Sequence, residues 1–211
     1  MTRLGMVIDL DRCIGCHACS VGCAVSRALP AGDRWSHVKE YVTGSFPALE
    51  ITYLPTLCMQ CSSPACLDAC PTGATYIDDE GVIQVDKSQC IGCGSCESAC
   101  PYHARTVLGT IESNHGDAGP TPPEKILFAA RTEGVAEKCT FCSDRRANGD
   151  EPLCVKTCVA DARIFGDLDD PTSAVAKAAS SGQRLLENVG TEPNVYYLYS
   201  GTNNLDEAFT V

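Results

Sequence analysis

The chain has 211 residues, a formal net charge of −11 and sixteen cysteines, and only 6% of it is aromatic. No run approaches the 18 apolar residues of a membrane-spanning helix. The acidic balance is wrong for a surface that must neutralise phosphates, and MTRLGMVIDLDRC has neither the apolar stretch nor the cleavage site of a secretory signal.

In chain order, MVIDL predicts a short strand that leads through Asp11 to a first cysteine group: Cys13, Cys16, Cys19 and Cys23. The second group is Cys58, Cys61, Cys66 and Cys70. After it, ATYIDDEGVIQVD alternates about a turn at residues 79–81 and predicts a β-hairpin, whose second strand leads into Cys90, Cys93, Cys96 and Cys100. Helical turns are expected after the fourth cysteine of each group. Residues 109–135 hold Pro120, Pro122 and Pro123 and no cysteine, and read as a surface insertion. The fourth group is Cys139, Cys142, Cys154 and Cys158. Residues 166–211 carry seven acidic and two basic side chains. This polar, turn-rich stretch reads either as an extended tail anchored on a partner through Tyr196, Tyr197 and Tyr199 or as a segment packed on the chain's own core.

Every group opens with C-x2-C and closes with C-x3-C, and no cysteine is left over. Disulfides do not need this regularity, and neighbours at C-x2-C are poorly placed to bridge one another. A structural zinc site needs two separated pairs and gives no reason for a third cysteine at x2 and a fourth at x3. A [4Fe–4S] cubane does. Three thiolates on a tight loop hold three irons, and the fourth cysteine reaches the other cluster of a pair. Pro71 and Pro101 follow Cys70 and Cys100, and group three completes the C-x2-C-x2-C-x3-C-P run. Gly15, Gly92 and Gly94 let the loops turn sharply. No phosphate-binding loop, H-E-x-x-H or G-x-S-x-G is present, so the chain reads as non-catalytic.

The chain resembles the four-cluster iron–sulfur subunits of the dimethyl-sulfoxide-reductase superfamily of molybdenum and tungsten enzymes. The resemblance rests on CIGCHACSVGC at 13–23, CMQCSSPACLDACPTGATY at 58–76, CIGCGSCESACPY at 90–102 and EKCTFCSDR at 137–145, together with ARIFGDLDDP at 162–171 and GTEPNVYYL at 190–198. It implies an α+β fold of two pseudo-symmetric bacterial-ferredoxin-like modules, each with two [4Fe–4S] clusters, plus the surface insertion and an extended C-terminal tail. The outer module would be 1–50 plus 106–170, the inner module 51–105, and the partner-binding tail 171–211. It also implies the ligand sets. Cys13, Cys16 and Cys19 are completed by Cys158, and Cys58, Cys61 and Cys66 by Cys100. Cys90, Cys93 and Cys96 are completed by Cys70, and Cys139, Cys142 and Cys154 by Cys23. All four cysteines of group three are present, so four cubanes are expected.

The implied function is relay of single electrons between a large molybdopterin catalytic subunit, which alone holds that cofactor, and a redox partner. That partner is a membrane anchor subunit or a soluble carrier, in a setting of anaerobic respiration. The alternative is a free-standing soluble polyferredoxin. Without a signal of its own, the chain is expected in the cytoplasm or exported beside a partner with a twin-arginine signal. Because each cluster ties distant segments together, the metal-free chain is expected to be unfolded or molten. Two positions depart from the family pattern, His103 where Gly usually follows C-P-Y and Val159 where Pro usually follows the last cysteine, and His17 lies between two ligands. Lys138, Arg145, Arg146, Lys156 and Arg163 surround group four, and Arg105 follows group three. These cations either raise cluster potentials or are ordinary surface charge.

Overall fold

The computed structural model describes residues 2–210. Strand β1 (Leu4–Asp9) is almost wholly buried because it is the middle of a three-stranded sheet, where a strand covered on both faces reads as a continuous apolar run. It lies antiparallel to β8 (Arg163–Asp167), with Ile8 opposite Arg163, and parallel to β9 (Val195–Leu198), with Met6 opposite Val195. One small sheet thus gathers the start of the chain, the exit of the fourth cysteine group and the C-terminal segment.

Three two-stranded ladders complete the sheets. A long ribbon, absent from the sequence expectations, joins β2 (Ser36–Ser45) to β3 (Ala48–Leu57). Its outer half leaves Val42, Phe46, Leu49 and Ile51 exposed. The expected hairpin is β4 (Thr75–Ile77) with β5 (Ile83–Val85), and its turn is held by Asp78, whose carboxylate accepts from the Glu80 and Val82 N–H groups. β6 (Arg105–Val107) pairs with β7 (Ala136–Lys138), which sets Arg105 directly opposite Lys138.

The helical turns lie one step earlier than expected. α2 (Ala65–Asp68), α3 (Ser95–Ser98) and α6 (Leu153–Lys156) each contain the third cysteine of a group and end before the fourth, while α1 (Ala18–Arg27) holds both Cys19 and Cys23. For α2 and α3 the reason is local. Pro71 and Pro101 disfavour helical backbone at Cys70 and Cys100, so the fourth cysteine leaves the helix and points elsewhere. α4 (Pro122–Ala129) opens on a capping box between Thr121 and Glu124 within the largely exposed 109–135 segment. α5 (Ser143–Arg146) and α7 (Ala174–Ala179) follow, and α8 (Leu205–Thr210) closes the described chain.

The C-terminal segment 171–211 is not extended over its described length. β9 pairs an edge that β1 would otherwise leave open. Tyr197 is fully buried, with its hydroxyl donating to the Pro55 carbonyl at 2.9 Å. Tyr199 meets Thr52 and Glu50, and Tyr196 lies under Arg184. Leu205, Ala208 and Phe209 of α8 are also buried, Phe209 against Tyr102. The three tyrosines are therefore engaged by the chain itself.

Candidate functional site

The main buried cluster contains seven cysteine side chains among Met6, Ile8, Leu54, Met59, Ile83, Phe141 and Tyr197. The interior is not solid there. Four cavities of about 330, 360, 370 and 320 Å³, each including space open to solvent, interrupt it. Cys70, Cys90, Cys93 and Cys96 line the first, and Cys13, Cys16, Cys19 and Cys158 the second. Cys23, Cys139, Cys142 and Cys154 line the third, and Cys58, Cys61, Cys66 and Cys100 the fourth. All sixteen expected residues are thus at a cavity wall, and in every cavity the fourth cysteine comes from a different group than the other three. The sheet pairings explain the exchange: β1 beside β8 carries Cys158 to the first group, and the contact of α1 with α6 carries Cys23 to the fourth.

The thiols meet two kinds of surroundings. Burial pushes Cys23 and Cys61 up to about 12, helped by neighbouring thiols, and drives Cys139 well above the ordinary range. Burial also acts against ionisation of Cys70, but the Thr75 N–H and the Thr72 hydroxyl outweigh it and hold that thiol down at about 7. Backbone N–H groups are aimed at sulfur in three of the four cavities: Thr75 at Cys70 and Ala136 at Cys90 in one, Phe141 at Cys139 in another and Ala162 at Cys158 in a third, at 3.3–3.4 Å. At Cys61 the Thr191 hydroxyl favours the thiolate.

The basic residues divide sharply. Arg145 and Lys156 form partly exposed pairs with Asp150, and Arg146 reaches Glu80. Lys138, Arg163 and Arg105 are buried. Arg163 Nη2 donates to Cys19 Sγ at 3.3 Å, and Arg105 Nη1 donates to Thr75 Oγ1 at 3.0 Å. The Nε and Nη2 groups of Arg105 are buried without an acceptor, at the wall of the cavity of Cys58, Cys61, Cys66 and Cys100. Sequence reasoning missed the buried Gln60 and Asn194. Gln60 donates to the Cys139 carbonyl at 2.8 Å and accepts from the Ile83 N–H at 2.9 Å, and Asn194 donates to the Gln60 carbonyl at 2.6 Å. The only signal for Gln60 was an uncharged amide inside the CMQC loop.

These features fit a multinuclear anionic group. Among the described residues, no three His, Cys, Asp or Glu side chains converge tightly enough to hold a single metal ion. Four thiols around each volume, N–H groups aimed at sulfur and orphaned guanidinium donors at a cavity wall all match a [4Fe–4S] cubane. His103 and His17 adopt left-handed backbone at φ 49° and 58°, a region glycine fills without strain. Both are exposed, as is Val159.

Gly92 shows how tightly one loop is drawn. Its φ is +67°, and a Cβ there would stand 1.9 Å from the Gly134 carbonyl oxygen. Gly92→Ala is expected to cost about 1–3 kcal/mol from backbone strain alone, with the clash in addition. The expected readout is a lower denaturant midpoint for loss of visible absorbance.

The family description of a 4Fe-4S dicluster domain matches residues 49–116 and 114–168. Among curated proteins, the chain is 42% identical to a Halobacterium salinarum protein provisionally named as an iron–sulfur subunit of dimethyl sulfoxide reductase, over 94% of this chain and 79% of that one. It is 40% identical to a selenate reductase subunit of Mesobacillus selenatarsenatis, over 92% and 70%. It is 37% identical to the arsenate respiratory reductase iron–sulfur subunit of a Shewanella species, over 94% and 97%.

Proposed function

The chain belongs to the family of four-cluster [4Fe–4S] electron-transfer subunits of molybdopterin oxidoreductases, and on that premise we propose how its own residues carry the relay. Cys13, Cys16, Cys19 and Cys158 hold one cluster, and Cys139, Cys142, Cys154 and Cys23 its neighbour. Cys58, Cys61, Cys66 and Cys100 hold the next, and Cys90, Cys93, Cys96 and Cys70 the last. The observation that supports this is the grouping of the cysteines, four to a cavity, with the fourth exchanged between groups. The exchange also supports two ferredoxin-like modules, 1–50 plus 106–170 and 51–105, each with two cavities.

When bound, each cluster accepts and releases one electron. The chain's residues hold the thiolates in place, aim N–H groups at sulfur and exclude water. Buried thiols such as Cys23 and Cys61 resist ionisation, so iron replaces their protons on binding. The electrons pass between a molybdopterin catalytic subunit and a membrane anchor or soluble carrier. Among the described residues no helix is long and apolar enough to cross a membrane. The exposed apolar side chains of the β2–β3 ribbon suit a permanent partner better than the small polar docking surface of a free polyferredoxin.

The test is purification from the native host under anaerobic conditions. A brown protein with about sixteen iron per chain, recovered at constant stoichiometry with a large molybdopterin protein, is the expected result. Recovery as a lone monomer that supports full electron transfer would defeat the subunit reading.

A further inference from the structure

The four cavities are linked at three junctions, and each junction holds one buried cation. Arg163 stands between the cavities of the outer groups. Its Nη2 donates to Cys19 Sγ on one side, at 3.3 Å, and on the other, at 3.4 Å, to Oγ of Ser36, which lines the cavity of Cys23, Cys139, Cys142 and Cys154. Arg105 lies between the inner pair: it lines the cavity of Cys58, Cys61, Cys66 and Cys100, and its Nη1 donates at 3.0 Å to Thr75, which lines the cavity of Cys70, Cys90, Cys93 and Cys96. Lys138 joins the two pairs. Its Nζ donates to the carbonyl of Cys139, at 2.8 Å, and to that of Ile83, which lines the cavity of Cys58. Two further arginines, Arg131 and Arg146, have buried side chains, but each is paired with a carboxylate, Glu137 and Glu80 respectively.

None of the three is met by a carboxylate among the described residues. The buried Glu137 beside Lys138 is taken by Lys87 and Arg131. The β6–β7 register also places Arg105 directly opposite Lys138, where like charges repel. Two opposed cations, buried and unpaired, are tolerated only where anionic groups surround them. Arg105 and Arg163 moreover hold equivalent places: each stands five residues after the fourth cysteine of its group and opens a strand.

We infer that Arg163, Lys138 and Arg105 are potential-setting residues, one at each junction, whose charges raise the reduction potentials of the two clusters that flank them. This rests on the cluster reading above. Reduction adds an electron to a centre that is already negative. A fixed cation in a low-dielectric site favours that step, and placed midway it screens each centre from the next.

The test is an EPR-monitored redox titration of the cluster-loaded complex carrying Arg163→Gln, Lys138→Met or Arg105→Gln. Each is expected to shift the oxidised-to-reduced equilibrium of its two flanking clusters at least tenfold toward the oxidised form, about 59 mV for a one-electron couple. The other two clusters stay within threefold, as do all four in the exposed control Lys156→Gln. Arg163→Lys and Arg105→Lys keep the charge and are expected to stay within threefold. Flanking potentials that do not move, or four that fall together, overturn the inference. If a Gln variant loses its clusters, the Lys variant decides: retained potentials support the inference, and lowered potentials or lost clusters overturn it. A wild-type complex with four EPR signals but insensitive potentials rejects the inference alone, whereas a wild-type chain that binds no iron rejects the cluster reading itself.

Discussion

Removing iron from the purified chain is expected to melt its tertiary structure, with near-UV circular dichroism lost and amide protons of β1 and β3 exchanging freely. The reason lies in what the thiols line. Cys19, Cys58, Cys61, Cys66, Cys96, Cys139 and Cys154 belong to the main buried cluster, so emptied cavities leave that core hollow at four places. Cluster binding is coupled to folding, and a domain has only about 5–15 kcal/mol in hand. The clusters also close loops of very different length, from Cys70–Cys96 to Cys13–Cys158, and chain entropy resists the longer closures more. Raising the pH does not rescue the metal-free fold. Cys23 and Cys61 are pushed up to about 12 when folded, from an ordinary value of 9.0. Their contribution is therefore fully present below about 9 and is lost as pH rises from there to about 12, because the unfolded chain ionises first. A metal-free chain with native circular dichroism and slow exchange would mean that packing alone holds the fold.

Cys100→Ser is expected to alter the cluster of Cys58, Cys61 and Cys66 and to leave that of its own sequence neighbours Cys90, Cys93 and Cys96 intact. Cys70→Ser should do the reverse. The check is spectroscopic identity: Cys100→Ser and Cys61→Ser should perturb the same EPR signal, and Cys70→Ser and Cys93→Ser a different one. Relay past the altered cluster is expected to stop, because the line offers no parallel route. Perturbation by Cys100→Ser of the signal it would share with Cys93→Ser would sink the exchanged arrangement. The assignment has a physical basis in the helical turns. α2 and α3 carry Cys66 and Cys96 into one cavity each, and the prolines after Cys70 and Cys100 force those residues out of the helix toward the opposite one.

Much of the site was legible in the sequence because cluster binding is a local matter of spacing. C-x2-C-x2-C on a tight loop presents three thiolates whatever the rest of the chain does, and Gly15, Gly92 and Gly94 adopt the left-handed backbone that such loops need. The strand before Cys13 and the β4–β5 hairpin were equally local, the first an apolar run and the second an alternation closed by an Asp-rich turn. The helical turns were misplaced by one step because periodicity is silent in four-residue helices. The β2–β3 ribbon was missed because SHVKEYVTGS and ALEITYLPTL alternate only weakly, with exposed apolar side chains toward the tip.

What the sequence determined by itself is the chemistry: sixteen thiolates in four groups, committed to iron and sulfur, in a chain with too few aromatics to build its interior from side chains alone. What only the tertiary structure decided is where charge and polarity end up. Arg105, Lys138 and Arg163 look no different in sequence from Arg145 and Lys156, yet the first three are buried at the junctions, while Arg145 is partly exposed and Lys156 faces solvent. Of the two readings of Tyr197, partner anchor or part of the chain's own core, the second holds: it is fully buried. Burial of a side chain is set by strand pairings across more than a hundred residues, such as Ile8 with Arg163, and such contacts leave no trace in local spacing.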